Sequence, residues 1–212
     1  MFDPMANRLL RWPLDSVALL LRKKQVHPDH VTLAGFGFGL AAATMIWAGW
    51  YTAGLCFILI NRVMDGLDGA LARQTRATDA GGFLDICLDF LFYSIIVTGF
   101  ALSDPAANAV AAVILLFCFV GTGTSFLAFA IMAQKHDLDN VAYPNKSMYY
   151  MGGLTEGTET IFFFILICLF PDHFSLLAYG FSFLCVLTTV SRIVSGYLTL
   201  KTIREKTGNP PE

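Results

Sequence analysis

The sequence predicts an all-α membrane protein, six transmembrane helices preceded by an N-terminal interfacial amphipathic helix, and three observations carry that prediction. Of its 212 residues 56% are hydrophobic and 14% charged, with a mean hydropathy of +0.61, whereas soluble domains average about 25% charged residues. Six apolar stretches of at least about 17 residues are each long enough for a roughly 30 Å hydrocarbon core. The fourteen Lys and Arg residues favour one side of those stretches, as the positive-inside rule requires.

Residues 6 to 24 alternate Leu9, Leu10, Trp12, Leu14, Val17, Leu20 and Leu21 with Arg8, Arg11, Arg22, Lys23 and Lys24, the pattern of a helix lying in the membrane interface. Arg8, Pro13 and Asp15 interrupt what would be the apolar core of a cleavable signal peptide, so the first span is expected to serve as the insertion signal. His27-Pro28-Asp29-His30-Val31-Thr32 leads into that span, about residues 31 to 49. The others are expected at about 51 to 72, 81 to 102, 107 to 133, 149 to 170 and 174 to 200. The domain division is therefore 1–30 as the interfacial N-terminus, 31–204 as the transmembrane domain and 205–212 as a cytoplasmic tail.

The turns near Trp50, Asp104-Pro105 and Pro171-Asp172 contain no Lys or Arg. The N-terminus, the 73–80 turn, the 134–148 loop and the C-terminus share the basic side. Both termini are thus expected to face the cytoplasm. A net charge of −2 gives no reason to expect nucleic-acid binding. The five cysteines, Cys56, Cys87, Cys118, Cys168 and Cys185, lie in apolar segments without metal-ligand spacing and read as small core hydrophobes.

Against this apolar background stand four acids. Asp65 and Asp68 are at i, i+3 on the second span, and Asp85 and Asp89 at i, i+4 on the third, so each pair projects from one helix face. Asp65 lies eight residues before Arg73 and Asp89 eight beyond Gly81. At 1.5 Å per residue both sit roughly 12 Å from the turn between the two helices. Four acids near a membrane centre would cost on the order of 10 kcal/mol if left alone. Hard divalent cations with oxygen ligands, Mg²⁺ or Mn²⁺, are the natural compensation, and two ions about 3.5 to 4 Å apart would clamp a pyrophosphate.

These residues also spell a known pattern. Asp65-x2-Asp68-Gly69-x2-Ala72-Arg73, a spacer, then Gly81-x3-Asp85-x3-Asp89 resembles the signature of the CDP-alcohol phosphotransferases, integral membrane enzymes that transfer a substituted phosphate from a CDP-linked donor to an alcohol and release CMP. The spacer, residues 74 to 80, has seven residues where the family usually has eight. That shortens a loop and leaves the carboxylate register intact. The family often has Pro-Asn ahead of the first span where this chain has Pro28-Asp29, which puts any role of that Asn in doubt.

The resemblance implies Asp65, Asp68 and Asp85 as metal ligands. It implies Asp89 as the general base for the acceptor hydroxyl and as a further metal contact. Gly69, Ala72 and Gly81 would leave room for the CDP group, and Arg73 would bind phosphate or fix the helix end. It further implies a homodimer; a bacterial inner membrane is the expected location, with the acid site placed toward the cytoplasm by the positive-inside rule. The expected donor is CDP-diacylglycerol, with a soluble CDP-alcohol donating to diacylglycerol as the alternative and the alcohol acceptor open. From another class, a divalent-cation transporter also places acids in spans, but would not require Gly69, Ala72 and Arg73 at these offsets.

Other polar residues are weaker signals. Arg62, one turn before Asp65, and Arg192 on the sixth span are expected to serve the site more than to form structural ion pairs. Glu156 and Glu159, beside Thr155, Thr158 and Thr160 on the fifth span, would contact a hydroxylated acceptor or else pair with Arg62 or Arg192. Lys135 and Lys146 read as membrane-surface charges. The stretch from Gly121 through Thr122, Gly123 and Thr124 to Ser125 reads as a packing face for close helix approach. The four histidines are assigned no chemistry.

Overall fold

The computed structural model of the chain describes residues 3–136 and 153–207, with side chains described over 12–136 and 153–202. Among the described residues there is no strand. The helices are α1 (Asp3–Lys23), α2 (Pro28–Trp47), α3 (Tyr51–Gln74), α4 (Asp79–Ser103), α5 (Pro105–Lys135), α6 (Gly157–Leu169) and α7 (Phe174–Thr207), with a 3₁₀ turn at Pro171–His173 before α7. Four of them, α2, α4, α5 and α7 with its preceding turn, are long and apolar enough to cross a membrane. α3 has the length, 24 residues, but carries Arg62, Asp65, Asp68 and Arg73.

Local chemistry sets the boundaries. The ring of His27 accepts a hydrogen bond from the Asp29 amide and Pro28 fills the first turn of α2, where its missing N–H costs nothing. Thr78 caps α4 by accepting from the Gly81 amide at 3.0 Å, and Asp104 caps α5 through the Ala107 amide at 3.1 Å, again with Pro next. Gly49, at φ +80°, turns the chain sharply between α2 and α3.

The fifth expected span departs most from its sequence reading. Its first residues, 149–152, lie outside the described part, and residues 153–156 are not helical; α6 starts only at Gly157. The reason is polar competition for the backbone. The Thr188 hydroxyl on α7, only 1% exposed, accepts from the amides of Leu154 and Thr155 and from the Thr155 hydroxyl, each within 3.1 Å. Glu156 then stands as the N-cap, receiving the Gly153 amide at 2.8 Å, while Glu159 receives the amide of Glu156 at 3.2 Å. At 13 residues, α6 is about 20 Å long, short of a full hydrocarbon core.

α2 packs against both α3 and α4, α5 pairs with α7, α4 joins the two groups, and α1 lies along α3. The main core threads α2 to α7 and is rich in rings: Phe100 stacks on Phe174 with centroids 4.8 Å apart, and Phe163 on Phe181 at 4.5 Å. A second cluster, Ala18, Val31, Leu67, Ala70 and Leu71, seals α1 and α2 against the back of α3. Close approach depends on Gly99, where a Cβ would stand 2.9 Å from the Ala43 carbonyl oxygen, and on Gly123, where it would meet Phe90 at 2.6 Å. The expected small-residue face on α5 is thus in use, Gly121 against Thr189 of α7 and Gly123 against α4.

Candidate active site

The antiparallel pair α3 and α4, with α2 packed across both, brings the motif acids together. One carboxylate oxygen each from Asp65, Asp85 and Asp89 lies within 4.8 Å of the others. Asp68 lines the same small pocket, with Thr32, Gly35 and Phe36 of α2, Asn61 and Arg62 of α3, and Leu88 of α4. The space is ≈ 10 Å³, the scale of one water or ion. Asp68 is 5% exposed, and its Oδ2 has no hydrogen-bond partner. A buried carboxylate oxygen without a donor, beside three further carboxylates, is a costly arrangement. The donor set is all hard oxygen and fits a divalent cation of the Mg²⁺ or Mn²⁺ kind.

Arg62 is the one cation among the lining residues. Its Nη2 donates to Asp89 Oδ1 at 2.9 Å, and Nη1 stands 3.6 Å from Asp65 Oδ2. It therefore both pairs with acids and lines the site, two roles treated as alternatives in the sequence. Asn61, its anchor at 2.7 Å from Nε, was missed by sequence reasoning, although an Asn inside an apolar span is itself a signal.

Gly69, Ala72, Arg73 and Gly81 are not in the lining of the acid pocket. They belong to the stretch running from the acids to the 75–78 turn. Arg73 is exposed, and a Cβ at Gly69 would be 3.4 Å from its Nη1. At Gly81 a Cβ would stand 3.1 Å from Asp29 Oδ1, so the acid that replaces the family's usual Asn faces the start of α4. Lys135 is exposed at the end of α5, while Lys146 lies outside the described residues.

A second, larger cavity of ≈ 740 Å³ opens among α4, α5, α7 and the start of α6. Its wall combines apolar Phe90, Phe119 and Phe126 with polar Thr122, Thr155, Glu156 and Arg192, and Asp89 belongs to both this wall and the acid pocket. Arg192 donates from Nη1 to the Thr122 carbonyl at 3.2 Å and stands 5.6 Å from the Phe126 ring centroid. Glu156 faces the same space from its N-cap position on α6. This convergence of α5, α6 and α7 has no counterpart in local sequence spacing.

With this geometry in place, comparison with known proteins is specific. The family model of CDP-alcohol phosphatidyltransferase matches residues 25–191. The inner membrane protein YnjF of Escherichia coli (strain K12) is 56% identical over 206 residues, covering 97% of this chain and 100% of that one. The archaetidylinositol phosphate synthase of Methanothermobacter thermautotrophicus is 35% identical over 99 residues, 46% of this chain and 47% of its own.

Among solved structures, the phosphatidylinositol phosphate synthase of Mycobacterium tuberculosis with CDP-DAG bound shares the fold. Its TM-score is 0.68 at 21% identity, over 87% of this chain and 93% of that one. The same protein in complex with manganese and citrate also gives 0.68, over 87% and 88%. The family match runs from ahead of α2 into α7 and takes in every helix that lines the acid pocket. It sets the chain among enzymes rather than cation transporters: this protein belongs to the CDP-alcohol phosphatidyltransferase family and is a membrane-bound CDP-alcohol phosphotransferase of phospholipid synthesis.

Proposed function

We propose that the protein transfers the phosphatidyl group of CDP-diacylglycerol to an alcohol and releases CMP. The observation that carries this reading is the position of Asp89, shared by the acid pocket and the wide cavity. The pocket suits the charged pyrophosphate end of a donor. The cavity suits an acyl-bearing group along Phe90, Phe119 and Phe126, and a polar acceptor beside Thr122, Thr155 and Arg192. The CDP-DAG complex of the mycobacterial relative supports the choice of donor.

In this reading Asp65, Asp68 and Asp85 would hold two Mg²⁺ or Mn²⁺ ions, whose positive charge would neutralise the donor's pyrophosphate. The manganese complex of the same relative supports that assignment. Asp89 accepts the proton of the acceptor hydroxyl. The alcohol oxygen then bonds to the phosphorus bearing diacylglycerol, and the bond from that phosphorus to the bridging oxygen breaks. CMP leaves with the electron pair. Gly69, Ala72 and Gly81 leave the approach to the acids free of bulk, and Arg73 stands at the helix end to meet phosphate.

The reading extends to the membrane. Six spans with α3 and α6 completing the bundle, α1 in the interface, and both termini and the site on the cytoplasmic side of a bacterial inner membrane agree with the Lys and Arg distribution and with the relative in Escherichia coli. A homodimer is the assembly that the family resemblance favours.

Purified protein with CDP-diacylglycerol and Mg²⁺ is incubated with a panel of small alcohols, polyols and their phosphates, and CMP release is scored. CMP release dependent on one alcohol is expected, together with that alcohol's phosphatidyl ester. Release of CMP from a soluble CDP-alcohol with diacylglycerol, and none from CDP-diacylglycerol, would overturn the assignment of the donor.

A further inference from the structure

Arg62 directs its nitrogens three ways. Nε donates to Asn61 Oδ1 at 2.7 Å, Nη2 to Asp89 Oδ1 at 2.9 Å, and Nη1 approaches Asp65 Oδ2 at 3.6 Å. One face of the guanidinium rests over the Phe92 ring, with Cζ 4.3 Å from its centroid. Asn61, 4% exposed, donates in turn to the Gly35 carbonyl at 2.8 Å. The anchor therefore reaches the backbone of α2. A guanidinium held along two edges and one face has little freedom to turn, and its planar fork is what allows this. Lysine would carry the same charge without the three directions.

The grip falls on one oxygen of Asp89. A carboxylate has two, and the second remains for another partner. Asp89 already places a carboxylate oxygen within 4.8 Å of oxygens of Asp65 and Asp85; released from Arg62, it would be free to turn both of its oxygens toward them and be taken up wholly as a cation ligand. A carboxylate committed to a cation is a poorer base.

We propose that Arg62 is a positioning residue. By holding Asp89 Oδ1 it keeps that carboxylate at the border of the acid pocket and the wide cavity, available to an acceptor hydroxyl. It also offsets negative charge that would otherwise draw a cation more strongly. The inference rests on the phosphatidyl-transfer reading for the reaction it serves, and concerns how the base is aimed.

The test compares wild type with Arg62→Gln, Arg62→Lys and Asn61→Leu. Mn²⁺ affinity is measured by electron paramagnetic resonance titration of the purified protein without substrate. Separately, kcat and KM come from CMP release. With its positive charge gone and Asp89 free to ligate, Arg62→Gln binds Mn²⁺ about ten-fold more tightly. Arg62→Lys keeps Mn²⁺ affinity within about three-fold, yet both variants lose roughly 10- to 100-fold in kcat, the range for groups that orient a reacting residue, with the donor KM little changed. Asn61→Leu removes the Nε anchor together with the Asn61 bond to the Gly35 carbonyl but leaves both carboxylate contacts of Arg62, and lowers kcat by a smaller factor at unchanged Mn²⁺ affinity.

Full kcat in Arg62→Lys would overturn the proposal, because charge without direction would then suffice. Weaker Mn²⁺ binding in Arg62→Gln would also overturn it, by making Arg62 a structural support of the cluster. Wild type that binds no Mn²⁺ and releases no CMP would instead overturn the phosphatidyl-transfer reading, so the two failures are told apart.

Discussion

At the scale of single residues, the four motif acids are alike in type and unlike in setting. Asp68 is almost fully buried with an oxygen lacking a donor, whereas Asp89 is 31% exposed in its side chain and fronts the wide cavity. Replacing Asp89 with Asn preserves size and removes basicity. Turnover is then expected to fall by roughly 10² to 10⁴ while CDP-donor binding survives. Donor titration beside CMP release checks this, and loss of donor affinity would make Asp89 chiefly a cation ligand. The pairing of the acids was legible from the sequence, because spacings of three and four on helices meeting at one turn leave little choice of face. That Asp89 faces a second cavity was not. Its far wall comes from Thr122, Thr155 and Arg192, residues brought in by α5, α6 and α7, and no local spacing encodes that packing.

At the scale of elements, the start of α6 shows where hydropathy misleads. Residues 149 to 170 read as one apolar span, but Gly153, Thr155, Glu156 and Thr188 give the backbone better partners than a helix would before residue 157. The capping box of Glu156 and Glu159 was present in the sequence as two acids three apart; their apparent chemistry obscured their use as caps. Thr188→Val keeps shape and removes the acceptor for two amides. It is expected to cost about 1–3 kcal/mol, the penalty for stranded buried donors, and to loosen the cavity wall at Thr155 and Glu156. Thermal unfolding in detergent should show a lowered midpoint, and acceptor KM should rise more than donor KM. An unchanged midpoint would show that the 153–156 segment does not depend on Thr188.

For the whole molecule, composition alone announced a membrane helical bundle, and four helices meet that description on length and hydropathy. α3 falls short because it carries the site's own charges. Half of the motif acids thus sit on a helix whose own charges mask it as a span, and half on α4, which reads plainly as one. Orientation has a direct test: with Cys56, Cys87, Cys118, Cys168 and Cys185 replaced, Asp104→Cys and Asp172→Cys, both exposed positions, should react with an impermeant thiol reagent from the periplasmic side of intact cells. Labelling only after the inner membrane is opened would reverse the orientation. Binding of a divalent cation by the buried acids, and of the donor through that cation, is the expectation on which the mechanism turns. Its most direct measurement is the affinity of the purified protein for CDP-diacylglycerol with Mg²⁺ or Mn²⁺ and again with EDTA, for wild type and for Asp68→Asn. Tight binding by wild type only when the cation is present, and weak binding by Asp68→Asn in both conditions, is the predicted result; equal donor affinity in EDTA, or an Asp68→Asn variant that binds like wild type, would contradict it.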